Sequence, residues 1–441
     1  MEKKLLHKKE GIMFRKYLIP SMLSMLAVSA YSFVDTFVVG QGVGADAVAA
    51  MGLGTPVVSL LYALGFLLGS GGAINYAVLK GSGDKRKANS IFSMAFWGAI
   101  VLWLLIGICG NIRINEVVLF LGATPGNRQL TIEYLRWILS FSGVLILDLV
   151  MNNFMRNEGH PNVSMIATIT GTGMNIILDF LFVMGFGWGM SGAAFATCFA
   201  SVVSVLINIS YAVIKKTNLV PSIRNIGFRK LPDILSIGFG SFVLEGAVAV
   251  ISVIFLNYAG TQYGDEGVSA FSVLMTLNLV VYSLLNGVAQ AIQPLVSLSY
   301  ASGNKKSMRI YARYGLMTSV ALGVFFCVVG EIFTGQLVKI FVKDCEGVFS
   351  LATYGLHFFA VTFIFMSVSI LLGIYFQSET KPVQALIVLL GRSAVMPVIM
   401  LYLLNMFCGK ISLWIAIPIG EFIAMLTAWI LFQRERWCNR I

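Results

Sequence analysis

Charge is scarce in this chain. Of 441 residues only 12% are Asp, Glu, Lys or Arg, while 58% are hydrophobic, and the mean hydropathy is +0.85. Soluble globular domains carry roughly twice that share of charge, so a soluble enzyme and a free nucleic-acid-binding module are both excluded. Histidine and cysteine are also few. His7, His160 and His357 are scattered, and the cysteines at 109, 198, 327, 345, 408 and 438 form no CxxC pair. That leaves no basis for a His/Cys metal site, a disulfide framework or a bound cofactor. No G-x-x-x-x-G-K-[ST] loop occurs, and no soluble stretch is long enough for an ATPase, so nucleotide hydrolysis is not the energy source. The GSGDKRK run at 81–87 reads as a basic inner turn. No cleavable signal is expected either, because the first apolar segment is too long for a signal core and has no small-residue cleavage site before Asp35.

What is present is a series of apolar stretches near residues 18–40, 47–79, 90–110, 130–155, 162–186, 190–214, 231–259, 268–299, 312–333, 353–376, 382–404 and 412–431. A helix needs about 20 such residues to cross a bilayer, so the pattern predicts an all-α polytopic membrane protein with twelve transmembrane helices. The net charge of +11 is distributed by loop rather than by domain. With the N-terminus inside, 24 of the 31 Lys and Arg residues fall on the inner side, among them Lys8, Lys9, Lys85, Arg86, Arg156, Lys215, Lys216, Arg224, Arg229, Lys305, Arg309, Arg313 and Arg440. That bias places both termini in the cytoplasm of a cell (inner) membrane.

The chain repeats itself. A shift of 220 residues pairs Gly44 with Gly264, Val48 with Val268, Ala50 with Ala270, Tyr62 with Tyr282, and Ser82, Gly83 and Lys85 with Ser302, Gly303 and Lys305; a shift of 221 pairs Pro161 with Pro382. The expected organisation is therefore a six-helix lobe at 1–214, a basic cytoplasmic linker at 215–230 and a second six-helix lobe at 231–441. An even number of helices per half makes the two lobes enter the membrane from the same side, as in two-lobed secondary transporters that rock about a central substrate.

Against this apolar background two acids stand out, Asp35 and Asp179. A carboxylate inside a membrane helix costs at least about 2.5 kcal/mol, so it marks an ion or proton pathway by default. The repeat strengthens that reading, because Asp35 lies opposite Phe255, Asp179 opposite Met400 and Asn175 opposite Met396. A fold that the second half builds without acids does not need them in the first. At about 1.5 Å of rise per residue, Asp35 and Asp179 lie at similar depth in the outer half, with Tyr134 and Thr197 at a comparable level and Asn175 one turn from Asp179. Two carboxylates, an amide, a hydroxyl and a phenol on one level suit a hard cation or a shared-proton pair. A possible Na⁺ would sit at Asp35, Asn175, Asp179 and Thr197.

The segments VDTFVVGQGVGADAVAAMGLGTPV at 34–57, RNEGHPN at 156–162, GMNIILDFLFVMGFGWGMSGAAFAT at 173–197 and QAIQPLVSLSYASGNKK at 290–306 resemble the multidrug and toxic compound extrusion (MATE) exporters across nearly the whole chain. The resemblance implies two six-helix lobes, no enzymatic activity, and export of small organic compounds, often lipophilic cations, against Na⁺ or H⁺. It also implies a branch whose coupling site lies in the N-terminal lobe at Asp35, Tyr134, Asn175, Asp179 and Thr197, with Asn152 as a further polar position and Pro20 as a hinge in helix 1. Asn152 sits eighteen residues beyond Tyr134, about 27 Å along an ideal helix, and is the weakest of these. A second branch uses acids in helices 7, 8 and 10, and of that set this chain offers only Glu245.

Four other charged residues lie within helices. Asp148, one turn from Asn152, either extends a polar track inward from the coupling site or holds helices together. Glu245, Arg392 and Glu421 lie near mid-depth in the second half, and an arginine there needs an anionic partner; Glu421 or Glu245 is expected to supply it. The 20 methionines and 32 phenylalanines suit a cavity that adapts to varied apolar ligands. The expected partners are the bilayer and small organic substrates, not nucleic acid, with a monomer as the working unit. Two rivals are a lipid-linked oligosaccharide flippase, which would need several interior cations, and a non-exchanging channel or receptor.

Overall fold

The computed structural model describes residues 2–123, 126–223, 230–341 and 346–438. Arg224, Arg229 and the rest of 224–229 in the basic linker, Cys345 and Arg440 lie outside the described residues, as do the side chains of His7, Lys8 and Cys438. Within the described residues the chain is helix and turn with no strand. That is the expected response of an apolar chain to lipid, where every backbone N–H and C=O must be satisfied within its own segment.

The elements are α1 (Glu2–Gly42), α2 (Ala45–Gly81), α3 (Lys85–Ile112), α4 (Ile114–Phe120), α5 (Arg128–Ser140), α6 (Ser142–Glu158), α7 (Pro161–Asp179) with a π-turn at Phe180–Gly185, and α8 (Gly189–Ile214). The second series is α9 (Leu231–Ala301), α10 (Lys305–Ile332), α11 (Thr334–Phe341), α12 (Glu346–Ala360), α13 (Thr362–Ser378), α14 (Pro382–Leu390) with a π-turn at Gly391–Val395, α15 (Met396–Cys408) and α16 (Ser412–Cys438). At 71 residues α9 would be about 106 Å long if straight, more than three bilayer cores. It breaks at Gly264, whose φ of 66° and ψ of −156° lie in a region glycine reaches without steric cost. Gly44, with φ 118°, makes the matching break between α1 and α2.

Eight described segments pass as membrane spans alone, and ten if the bent pairs α5–α6 (51°) and α12–α13 (47°) each count once. The 53-residue run Pro382–Arg434 turns back at Gly409, φ 60°, and the stretch of α9 before Gly264 supplies the remaining crossing. Twelve helices in two six-helix lobes result. The repeat is visible in detail. Asp84 Oδ1 accepts from the Lys87 amide at 3.0 Å to cap α3, and Asn304 Oδ1 accepts from the Ser307 amide at 3.1 Å to cap α10. The two helix breaks, at Phe141 and Val361, are also 220 apart.

The chain packs as two compact units, Ile19–Glu245 with Ser297–Gly303, and Met1–Leu18 with Gly246–Val296 and Asn304–Ile441. In the first, α2 lies against α3, α5 and α6, around Tyr76, Phe92 and Phe154, with Phe154 edge-on to both other rings at 5.5 and 5.2 Å. The start of α9 joins this unit. Gly71 and Gly238 bring it to backbone contact with α2, since a Cβ on Gly71 would lie 2.2 Å from the Ile234 carbonyl, and Ser70 and Ser241 share a 2.9 Å hydrogen bond beside them. In the second unit α13 lies against α10, α14 and α16. The start of α1 joins it, with Ser307 Oγ donating to Glu10 Oε1 at 2.7 Å and Phe14 beside Tyr314. Thus α1 passes from one unit to the other between Leu18 and Ile19, next to Pro20.

Candidate cation-coupling site

Asp35 lies on α1, Tyr134 on α5, Asn175 and Asp179 on α7, and Thr197 on α8, and all five side chains are buried. Small residues let the elements approach. Gly54 on α2 leaves room for the Tyr134 ring, which a Cβ would meet at 2.7 Å, and Gly42 lets the end of α1 meet Val183 of the π-turn, where a Cβ would lie at 2.6 Å. The π-turn begins directly after Asp179, a placement π-bulges often have at functional sites.

Asn175 is the link between α7 and α8. In the orientation that satisfies both ends of its amide, the nitrogen donates to Asp179 Oδ2 at 3.2 Å and the oxygen accepts from the Thr197 backbone N–H at 3.3 Å. Thr197 Oγ1 lies 3.3 Å from the same amide and donates to the Ala193 carbonyl. Asp35 Oδ1 and Asp179 Oδ1 are buried with no hydrogen-bond partner among the described residues. Asp35 is near enough for its charge to act on both Asp179 and Tyr134. Four of the predicted residues thus group around the fifth, Asp179, and the group holds two orphaned carboxylate oxygens. An orphaned buried oxygen is costly, and a proton or a hard cation removes the cost. No three His, Cys, Asp or Glu side chains converge among the described residues, so a Na⁺ here would complete its shell with the neutral oxygens of Asn175 and Thr197.

Asn152 stands elsewhere. The bend at Phe141 puts it on α6, not on a straight continuation of the helix bearing Tyr134, so distance along an ideal helix does not measure their separation. There it belongs with Asp148. Asp148 Oδ1 accepts from Ser204 Oγ at 2.5 Å and Asn152 Nδ2 at 2.7 Å, and Asn152 Oδ1 accepts from Ser164 Oγ at 2.9 Å and Asn208 Nδ2 at 3.3 Å. The Arg156 guanidinium, read from sequence as an inner-loop cation, is buried and close enough to act on Asp148. A tyrosine pair missed by sequence reasoning lies between the groups. Tyr31 and Tyr62 hydroxyls are 3.2 Å apart, Tyr31 is within electrostatic reach of Asp35 and Asp148, and Tyr62 of Tyr134 and Asp148. The signal for Tyr31 was its position one helical turn before Asp35; for Ser204 and Asn208 it was their own i, i+4 spacing.

In the second unit Arg392 is paired with Glu421. Nη2 donates to Oε1 at 2.5 Å and Nε to Oε2 at 3.3 Å, and Ser369 Oγ donates to the same Oε2 at 2.9 Å. Glu245 falls in the other compact unit and has no ion-pair partner among the described residues. Pro20 sits inside α1, where it removes one backbone donor, and its carbonyl accepts from Ser24 Oγ at 2.8 Å.

Comparison with known proteins finds the MatE family model matching twice, over residues 20–181 and 240–403, in step with the internal repeat. The chain is 25% identical over 417 residues to the multidrug export protein MepA of Staphylococcus saprophyticus subsp. saprophyticus, covering 94% of this chain and 91% of that one. A solved structure of MATE in complex with MaL6 superposes with a TM-score of 0.90 at 25% identity, over 96% of this chain and 95% of that one. Another, of MATE in the bent conformation, gives 0.88 at 26% identity over 98% and 96%.

Proposed function

This chain belongs to the MatE family, and we propose that it exports small organic compounds, lipophilic cations foremost, in exchange for a cation bound at Asp35 and Asp179. The observation that carries the reading is the pair of orphaned, buried carboxylate oxygens at positions whose repeat counterparts are Phe255 and Met400. The coupling ion is Na⁺ or H⁺. Residues 1–214 and 231–441 are the duplicated lobes joined at 215–230, the working unit is a monomer in the cell membrane, and both termini face the cytoplasm.

In this mechanism the empty site holds ionised carboxylates that exposure to the outer medium stabilises. Entry of the cation neutralises part of the pair, leaving one negative charge shared between the two carboxyls, which favours a state in which they are sealed in the apolar unit. Asp35 lies on α1 beyond Pro20, so the change is transmitted as a bend of α1 about that proline, with Ser24 holding the proline carbonyl as the helix angle changes. Tyr134, Asn175 and Thr197 position the carboxylates and complete the cation's shell. Drug release follows only if drug and cation prefer different states. Shifting a population from 1:99 to 99:1 takes about 5.5 kcal/mol of differential affinity, within reach of two buried carboxylates that each cost a few kcal/mol when charged.

Asp148 serves here as a hydrogen-bonded clamp between α6 and α8, because Ser204, Asn152 and nearby Arg156 satisfy its charge. A flippase would need several free interior cations for a pyrophosphate, and among the described residues Arg392 is engaged with Glu421 while the other buried arginine, Arg156, lies beside Asp148. The deciding experiment is efflux of a fluorescent cation from proteoliposomes with the Na⁺ and pH gradients imposed separately. Transport driven by one of them, and lost when it is collapsed, supports the reading. Dye movement indifferent to both gradients would overturn it in favour of a channel.

A further inference from the structure

The ends of α3 and α10 that follow their basic turns are repeat counterparts with different surroundings. On α3, Asn89 and Ser93 are covered by the chain's own segment after α8. The Val220 amide donates to Asn89 Oδ1 at 3.2 Å, the Ser222 amide donates to Ser93 Oγ at 3.0 Å, and Asn218 Nδ2 donates to the Lys85 carbonyl at 3.0 Å. The positions 220 residues on are Arg309 and Arg313. Both are exposed, and neither has an acidic partner among the described residues. Between α10 and α16 they open a pocket of about 450 Å³ whose other walls include Leu316, Met317, Trp429 and Phe432.

We infer that this pocket is a binding site for an anionic phospholipid. Arg309 and Arg313 are one turn apart on the same face, so two guanidinium forks present their donors to one phosphate. They stand about 6 and 12 Å along α10 from Lys305, the depth at which arginine stems lie along apolar surface and the heads reach the headgroup layer. Below them Met317 and Trp429 are exposed while Phe432 is buried, which makes a wall for an acyl chain, with a tryptophan of the kind favoured at the membrane interface. Basic pockets between membrane helices on the positively charged side select anionic headgroups for these reasons. In the first repeat, protein hydrogen bonds cover the corresponding place; in the second, cations take over and the lipid completes the surface.

The test uses the purified full-length protein. Native mass spectrometry and Tm are followed on titration with phosphatidylglycerol, with phosphatidylcholine of the same acyl chains, and with soluble glycerol phosphate. Wild type should retain phosphatidylglycerol preferentially and melt higher with it, and should respond to neither of the others. Each of Arg309→Gln and Arg313→Gln should weaken phosphatidylglycerol binding about fivefold, and the double variant roughly thirtyfold. The double substitution to lysine keeps both charges and loses the forked donors, so its binding should fall between wild type and the double glutamine variant while still preferring phosphatidylglycerol to phosphatidylcholine. Equal retention of the two lipids by wild type overturns the proposal, as does undiminished retention by the double glutamine variant. Displacement of the lipid by glycerol phosphate would make this a soluble-anion site and overturn it too. Should the glutamine variant fail to fold, lipid preference in wild type and in the lysine variant decides.

Discussion

The two repeats build the same helices around opposite interiors. In the first, Gly171 on α7 packs so closely on α8 that a Cβ would lie 3.0 Å from the Ala200 carbonyl, and charge is concentrated farther along α7 in Asp179, with Asp35 nearby. In the second, the counterparts of Gly171 and Ala200 are Arg392 and Glu421, a closed pair with Ser369 as third partner, and the counterparts of the acids are Phe255 and Met400. Phe255 is fully buried and stacked on Phe271 at 5.5 Å. One scaffold therefore tolerates either charge arrangement. What distinguishes these two places is satisfaction: Arg392 and Glu421 are matched within the protein, whereas Asp35 Oδ1 and Asp179 Oδ1 have no hydrogen-bond partner among the described residues.

Breaking the open half should have the largest effect. Asp35→Asn is expected to reduce gradient-driven efflux to the level of protein-free vesicles while yield and insertion hold, because the amide keeps the volume and removes the charge. Asp179→Asn should match it, and the double variant should be little worse than either, as for residues acting as one unit. Vesicle efflux beside size-exclusion profiles checks this, and wild-type efflux from folded Asp35→Asn would refute the coupling role.

The closed half should respond in stability instead. Arg392→Ala leaves Glu421 buried and unmatched, a loss of about 3–5 kcal/mol, read as a lower Tm that is the same with any dye present. Combining Arg392→Met with Glu421→Leu should restore most of it. An Arg392→Ala protein of unchanged Tm and altered dye preference would mean that the arginine contacts substrate.

Two milder substitutions sharpen the contrast. Asp148→Asn should lower stability by about 1–3 kcal/mol through its buried hydrogen bonds and leave the ion dependence of transport unchanged; a changed ion dependence would move Asp148 into the coupling site. Phe255→Leu and Met400→Leu should cost less than about 1.5 kcal/mol and retain most efflux, since packing is their assigned role.

The smallest effect separates the two helix caps. Hydrogen bonds from Lys87 and the Lys87 and Arg86 charges hold the Asp84 carboxyl below its ordinary value, about 3.9. Its stabilisation is thus full above that value and fades as pH falls through the lower folded one, whereas Asn304 does not titrate. Hydrogen exchange at the first turn of α3 should accelerate at acid pH relative to α10, and equal acceleration would show that Asp84 adds nothing beyond a neutral cap.

Much of this was legible in the sequence because bilayer thickness dictates helix length and because a charge in lipid is too costly to be accidental. Gly44 and Gly264, and Asp35 and Asp179, were readable for those reasons. The break at Phe141 was not, since no proline marks it and glycines such as the nearby Gly143 are frequent in membrane helices that run unbroken; nor was the π-turn after Asp179. The partner of Arg392 was open between Glu245 and Glu421 for a related reason: pairing depends on which helices pack together, and the start of α9 packs with the other unit.

The sequence by itself determined the number of helices, their duplication and which residues carry charge inside them, because each of these follows from local composition measured against the thickness and polarity of lipid. Only the tertiary structure decided which charges are satisfied. Whether Asp35, Asp148 or Arg392 finds a donor or an opposite charge depends on contacts within about 3 Å between helices far apart in the chain, and those contacts are set by small residues, bends and side-chain volumes acting together.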